Sequence, residues 1–338
     1  MGMVSMGHQD ISGLERIGLC ALPTPLIEAK RLAESLQGPR VFIKRDDLTG
    51  LAIGGNKTRA LEFVMAEAKA SGHDAVIAVG PQHSNQLCCI TAAAKKCGMD
   101  VVLLLLKGDN RPQGNLLLFH LLGAQIMFTD IDLPNIAEAD ARMGDLAEQL
   151  RNAGRRPLEL SYGPLPLVGM AGYVLLLREI LDQLRDTSTG AHHIFLGSGS
   201  GLTQAGLILG NSLMGGDAKI HGIMVDQRFQ QEQQEDNVLT AVKAAATLFN
   251  TDLTLEASAV ACIAGYNDDL SMTKRATDTI KLVAQTEGIF LDPVYTGRVM
   301  AAMIDQIRAG RIPPQDSVVF YHSGGIPEIF SHSNALLS

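Results

Sequence analysis

The sequence has no apolar stretch fit to cross a membrane. Runs such as 101–106 (VVLLLL) fall far short of the ~20 residues a spanning helix needs. It has no basic surplus either, since 28 Lys and Arg stand against 36 Asp and Glu, a net charge of -8. A nucleic-acid binder needs a basic surplus or a basic face, so that class is not expected. The opening residues, MGMVSMGHQD, lack the basic and apolar regions of a secretory signal. Cysteine is scarce: Cys20, Cys88, Cys89, Cys97 and Cys262. An odd number in a long chain argues against a disulfide framework and for a reducing compartment, the cytoplasm. No C-x2-C spacing occurs, so no metal site is expected. Cys88 and Cys89 read as small buried hydrophobes on a helix. There is no internal repeat, no low-complexity tract and no obvious linker.

What remains is ordinary globular material, 46% hydrophobic and 19% charged over 338 residues. That length suits about two domains, each able to bury a core. Without a linker, interleaved and sequential domains are both open. Short β-rich runs alternate with helical periods. Strands are expected at 41–44, 75–79, 101–106, 125–128, 193–196, 220–225 and 318–322. Several are continuous apolar runs, as strands buried on both faces are. Helices are expected at 57–70, 85–97, 136–153, 203–213, 271–285 and 295–308; the first carries the stripe Ala60, Leu61, Val64, Met65 and Ala68. The polar run 230–235 (QQEQQE) reads as a surface loop or a helix edge. Strand and helix alternation argues an α/β fold with parallel sheets.

Polar or glycine-rich turns punctuate this pattern, where open α/β sheets bind ligands. Gly54-Gly55-Asn56-Lys57 opens a helix, with Asn56 as its N-cap. The helix dipole disfavours an ammonium there, so the Lys57 amine is suited to attack a carbonyl. Gly197-Ser198-Gly199-Ser200-Gly201-Leu202-Thr203 joins a strand to a helix, the arrangement that holds a phosphate on backbone N–H groups. Two ligands suit it. A nicotinamide dinucleotide wants G-x-G-x-x-G, from which Leu202 departs, and an acidic residue after the next strand, which Asp226 supplies. A phosphate monoester such as the tail of pyridoxal phosphate (PLP) also wants a lysine for its aldehyde, and Lys57 is available. Ser84 and Asn85, in Gly80-Pro81-Gln82-His83-Ser84-Asn85-Gln86, suit a carboxylate at a helix start or an ordinary cap. Tyr295, in Asp292-Pro293-Val294-Tyr295-Thr296-Gly297, is a catalytic phenol or a core side chain. His322, in Tyr321-His322-Ser323-Gly324-Gly325, reads first as structural.

Taken in order with Leu22-Pro23-Thr24-Pro25-Leu26 and Ile43-Lys44-Arg45-Asp46-Asp47, these motifs resemble one family. It is the 1-aminocyclopropane-1-carboxylate (ACC) deaminase / D-cysteine desulfhydrase family of fold-type II PLP enzymes. The resemblance covers about 22–330. It implies an α/β fold of two open, twisted, mostly parallel sheets flanked by helices. A smaller domain, 59–165, is inserted in a larger PLP-binding domain made of 1–58 and 166–338. It implies that Lys57 bonds the cofactor aldehyde and that Asn85 bonds its phenolic oxygen. Ser200, Gly201, Leu202 and Thr203 match the phosphate loop. Tyr266 and Tyr295 match two catalytic tyrosines. Ser84, with Asn85, Gln86 and His83, falls on the substrate side. Family members are usually homodimers acting on small amino acids.

Thr296 stands at the pyridine-nitrogen position, where ACC deaminases carry a glutamate. A hydroxyl makes the ring a weaker electron sink than a carboxylate does. That points to the D-cysteine desulfhydrase and L-cysteate sulfo-lyase branches, whose substrates lose a group from Cβ. His83, Cys88-Cys89 and Gly163-Pro164-Leu165 also depart from the family pattern. The expected reaction is PLP-dependent elimination of a thiol or sulfite from a small amino acid, giving pyruvate and ammonium, with His83 near the leaving group. ACC ring opening, β- or γ-replacement, a nicotinamide oxidoreductase on the 197–203 loop, and a non-catalytic protein on the same scaffold are the alternatives.

Overall fold

The computed structural model describes residues 11–337, except 134, 188, 226, 227, 252, 254, 256–258 and 267–273. The strands are β1 (Leu26–Glu28), β2 (Arg40–Arg45), β3 (Ala75–Gly80), β4 (Asp100–Leu105), β5 (Gln125–Phe128), β6 (Pro157–Leu160), β7 (His193–Ser198), β8 (Lys219–Met224), β9 (Ala261–Ile263) and β10 (Ser317–His322). The helices are α1 (Lys30–Leu36), α2 (Lys57–Ala70), α3 (Asn85–Lys96), α4 (Gly114–Leu121), α5 (Ile136–Asn152), α6 (Ala171–Arg185), α7 (Leu202–Leu213), α8 (Gln231–Leu248), α9 (Lys274–Glu287), α10 (Thr296–Arg308), α11 (Pro327–Ser331) and α12 (Ser333–Leu337).

Two sheets form. One has six strands in the order β1-β2-β10-β7-β8-β9, and the other four in the order β5-β4-β3-β6. Every pairing is parallel except β1 with β2. The α/β architecture of two mostly parallel sheets flanked by helices is therefore present. The strands of the smaller sheet are consecutive in the chain, inside the segment 59–165. Those of the larger sheet come from both sides of it. β3 and β10 are buried along their whole length, as continuous apolar runs on both-face-buried strands should be. β5 is an edge strand, and its Met127 and Phe128 are exposed.

One continuous core links the two sheets. It runs from Val76 and Leu103 of the smaller sheet through Phe63 on α2 and Ala93 on α3 to Leu176 on α6 and Leu196 on β7. A second core fills the other face of the larger sheet, around Phe195, Phe320 and Met300. α2 and α6 touch almost backbone to backbone. A Cβ on Gly172 would lie 2.4 Å from the carbonyl oxygen of Arg59, so only glycine allows this approach.

Under that contact lies a buried charge network. Arg59 is 2% exposed and grips Asp46 through Nε and Nη2, at 2.6 and 2.8 Å. It also reaches Glu179 of α6 at 2.9 and 3.0 Å. Lys44 joins the same Glu179, and Tyr321 donates to Asp46 at 2.5 Å. Two cations face two carboxylates with hydrogen bonds completed on every side, the condition under which buried charges persist. Among the described residues, no helix is long and apolar enough to cross a membrane.

Candidate active site

Helices α2, α3 and α7 begin at the C-terminal edges of the sheets, and their first turns, with Tyr295 just before α10, enclose one cleft. The 54–57 loop supplies the amine. Gly54 and Gly55 have φ of +79° and +126°, and a Cβ on Gly54 would sit 1.9 Å from the Asp47 carbonyl oxygen. Thr49 braces the turn, accepting from Gly55 N at 2.9 Å and donating to Gly55 O at 3.0 Å. Lys57 is the first residue of α2 and lines the cleft, half-buried. Burial first, and the Arg228 charge second, lower its amine to about 8, with Cys89 acting the other way. Asn56 occupies the N-cap position but makes no side-chain cap bond, contrary to expectation. Its Nδ2 instead donates to Thr203 Oγ1 at 3.1 Å, tying the lysine loop to the loop before α7.

That second loop is a backbone cradle. Gly199, Ser200, Gly201 and Thr203 line the cleft at the start of α7, whose first N–H groups have no partner within the helix. Gly201 has φ +79°, and a Cβ there would press to 2.8 Å of Val238. Gln234 of α8 holds the loop from behind, donating to Ser198 Oγ at 2.9 Å and to Gly199 O at 3.1 Å. Leu202 faces the core, 3% exposed, so only its backbone serves the cradle.

The opposite wall comes from α3. Ser84 caps the helix, accepting from Leu87 N at 3.2 Å. Asn85 Oδ1 accepts from Asn115 Nδ2 at 2.8 Å, which leaves the Asn85 NH2 as the donor available to the cleft. Gln86 also lines the cleft and donates to Gly163 O at 3.0 Å. Tyr295 closes another side. Cys88 and Cys89 are buried, and burial pushes their thiols up to about 12 and about 11.

Three expected site residues stand off the wall. Thr296 is buried, and its hydroxyl donates to Asp292 Oδ1 at 2.6 Å while accepting from Asp292 N at 2.8 Å. Asp292 is 0% exposed, and burial raises its carboxyl. Tyr266 donates to Asp305 Oδ2 at 2.7 Å beneath the Arg275 guanidinium, 5.3 Å from its ring centre. His83 lines a neighbouring cavity, where burial and His332 lower its imidazole. The expectation that His83 stands beside a leaving group is therefore corrected. Within the segment 80–86, Pro81, Gln82 and His83 line that cavity, whereas Ser84, Asn85 and Gln86 line the cleft.

The structure adds Tyr162, Arg228, Ser323 and Gly324 to the wall. Arg228 lies over the Tyr162 ring at 4.9 Å, joining the ends of β8 and β6 across the cleft. Tyr162 follows a strand too short to announce itself. Arg228 stands between the strand expected at 220–225 and the polar run 230–235, at a position given no role. Ser323 and Gly324 are in a quoted motif that carried no assigned role.

An amine suited to an aldehyde faces a glycine cradle suited to a phosphate monoester. Both ends fit pyridoxal phosphate, and together they define a PLP enzyme. Comparison with known proteins agrees. Residues 17–324 match the family model described as "Pyridoxal-phosphate dependent enzyme", and the chain belongs to that family. It is 34% identical to the D-cysteine desulfhydrase of Klebsiella pneumoniae over 338 residues, 97% of this chain and 99% of that protein. It is 34% identical to the D-cysteine desulfhydrase of Salmonella typhi over 325 residues, 94% and 96% of the two chains. A crystal structure described as an ACC deaminase homologue superposes with TM-score 0.87 at 32% identity, covering 97% of both chains. The protein is a PLP-dependent enzyme of the ACC deaminase / D-cysteine desulfhydrase group. The nicotinamide reading of the 197–203 loop gives way to this cofactor, and Asp226 lies outside the described residues.

Proposed function

We propose that this enzyme is a lyase that eliminates an anionic β-substituent, sulfide or sulfite, from a small amino acid such as D-cysteine or L-cysteate. The products are pyruvate and ammonium. The observation that carries this reading is Arg228, whose guanidinium shares the cleft with Lys57 and is braced on Tyr162. A planar, permanently charged group there suits a leaving thiolate or sulfonate. The hydroxyl of Thr296, taken up by Asp292, supports the same choice over ring opening, because no carboxylate is offered from that position.

The bound cofactor supplies an aldehyde for the substrate amine and a ring that takes up the electron pair released at Cα. The chain supplies the rest. The N-terminus of α3, with Ser84, Asn85 and Gln86, orients the substrate carboxylate. The Lys57 amine, lowered to about 8, takes the Cα proton. Arg228 stabilises charge gathering on the departing group. The larger domain, 1–58 and 166–338, carries the cradle, and the smaller, 59–165, carries the substrate wall. We further infer a cytoplasmic homodimer from the family resemblance.

The test is pyruvate formation from D-cysteine, L-cysteine, L-cysteate and ACC, side by side. Turnover of D-cysteine or L-cysteate is expected, with Arg228→Ala lowering kcat/KM by about 10²-fold or more. Pyruvate from none of the three sulfur substrates overturns the reading.

A further inference from the structure

Behind the 80–86 segment lies a second cavity, bounded by Gln82, Asn115, Val294 and Glu328. Among the described residues, five buried side-chain polar atoms lack a hydrogen-bond partner. Three of them are carried by residues that line this one cavity: Gln82 Oε1, Asn115 Oδ1 and Glu328 Oε1. All three are acceptors. Glu328 is 3% exposed and Asn115 is 1% exposed. Orphaned acceptors at this depth cost free energy unless something donates to them.

The orientation of Asn115 is set by its neighbours. Its Nδ2 is committed to two acceptors, His83 O at 2.9 Å and Asn85 Oδ1 at 2.8 Å, so the oxygen end is the one left over. The Gln82 Nε2 likewise donates to Asn110 Oδ1 at 2.7 Å. Glu328 stands against the start of α4: a Cβ on Gly114 would lie 3.6 Å from its Oε1. Lys107 and Arg111 do not compensate Glu328, because each has a carboxylate of its own, and the two imidazoles of the lining are His83 and His332, whose Nδ1 meets the Glu328 backbone carbonyl at 2.8 Å. Lys107 pairs with Asp132 at 3.4 Å, and Arg111 bonds Asp109.

One carboxylate and two amide oxygens ask for a single positive charge carried on N–H donors. A divalent metal asks for more anionic oxygen than this. We propose that the cavity binds an ammonium group, held by Glu328, Asn115 and Gln82. Free ammonium and the ammonium end of an amine share this chemistry. Asn115 connects the cavity to the active site, since the amide that receives the ligand also holds Asn85. Occupancy is thereby coupled to the cleft wall. The inference uses no step of the proposed elimination, so the two can fail separately.

The test is calorimetric titration of the holoenzyme at constant ionic strength with ammonium chloride, methylammonium chloride, potassium chloride and tetramethylammonium chloride. Saturable binding of ammonium is expected, weakened at least about tenfold in Glu328→Gln and in Gln82→Met. Gln82 is only partly buried, so its variant keeps the test valid if Glu328→Gln fails to fold. Methylammonium distinguishes the two sources: binding equal to that of ammonium points to an amine, and weaker binding to the free ion. Either result supports the ammonium site. Potassium bound as tightly as ammonium overturns it, as does binding retained in both variants or no saturable binding at all.

Discussion

At the scale of single residues, the position of Lys57 decides what the amine can do. A solvated lysine is charged at neutral pH, whereas burial brings this one down to about 8. The neutral form is the nucleophile, so it gains population as pH rises towards 8 and levels off above. The rate at which apoenzyme takes up pyridoxal phosphate should therefore climb through pH 7–8 and then flatten, read by stopped-flow absorbance. A rate still climbing with unit slope beyond pH 9 would show an ordinary surface lysine. Lys57→Ala should lack the visible band that borohydride abolishes in the parent, and turnover should fall about 10²–10⁴-fold. The lysine and the Ser84-Asn85 pair were legible in the sequence because their glycine and cap neighbours announce helix starts. The partners of Asn56 and Thr296 were not, because a side chain that caps in one fold can reach across a loop in another. Arg228 was missed for a related reason: nothing local distinguishes it from a solvated arginine until Tyr162 is brought beneath it.

Among the elements, α8 carries the clearest lesson. Its first turns read as a polar surface run, and most of that face is exposed, yet Gln234 is buried against the phosphate cradle. Periodicity cannot separate a glutamine that faces water from one that clamps a loop. The helices α2 and α10 and the continuous apolar strands were legible almost to the residue, whereas the long helix α6 was not expected. β1, β6 and β9 were not, since strands of three or four residues carry too little pattern, and β6 opens on a proline. Gln234→Leu removes both bonds to the cradle while keeping the volume. It should weaken cofactor affinity about tenfold with little change in kcat at saturating cofactor. Fluorescence titration of apoenzyme checks this. An unchanged Kd would mean that Gln234 only fills space.

At the scale of the whole molecule, two sheets share one core, and the charge network of Arg59, Asp46, Glu179 and Lys44 sits where the chain passes between them. Removing Arg59 leaves the buried Asp46 without its cation and the half-buried Glu179 with Lys44 alone. Arg59→Met should lower unfolding free energy by about 3–5 kcal/mol, measured by urea denaturation. A loss under about 1 kcal/mol would mean that water reaches the network. The family resemblance implied that one domain is inserted in the other, and it gave no strand order. Strand alternation alone left interleaved and sequential domains equally open.

Arg59 also settles to which half of the molecule the reactive amine is anchored. It lies two residues beyond Lys57 on α2 and is fastened to Asp46 and Glu179, both outside the segment 59–165, while Asn56 is fastened to Thr203, which lies outside it as well. Ser84, Asn85 and Gln86 ride on the smaller sheet. The bonds of Arg59 and Asn56 tie Lys57 to the cradle, so a shift of the smaller sheet against the larger would move the proposed substrate wall and leave the distance between Lys57 and the cradle unchanged.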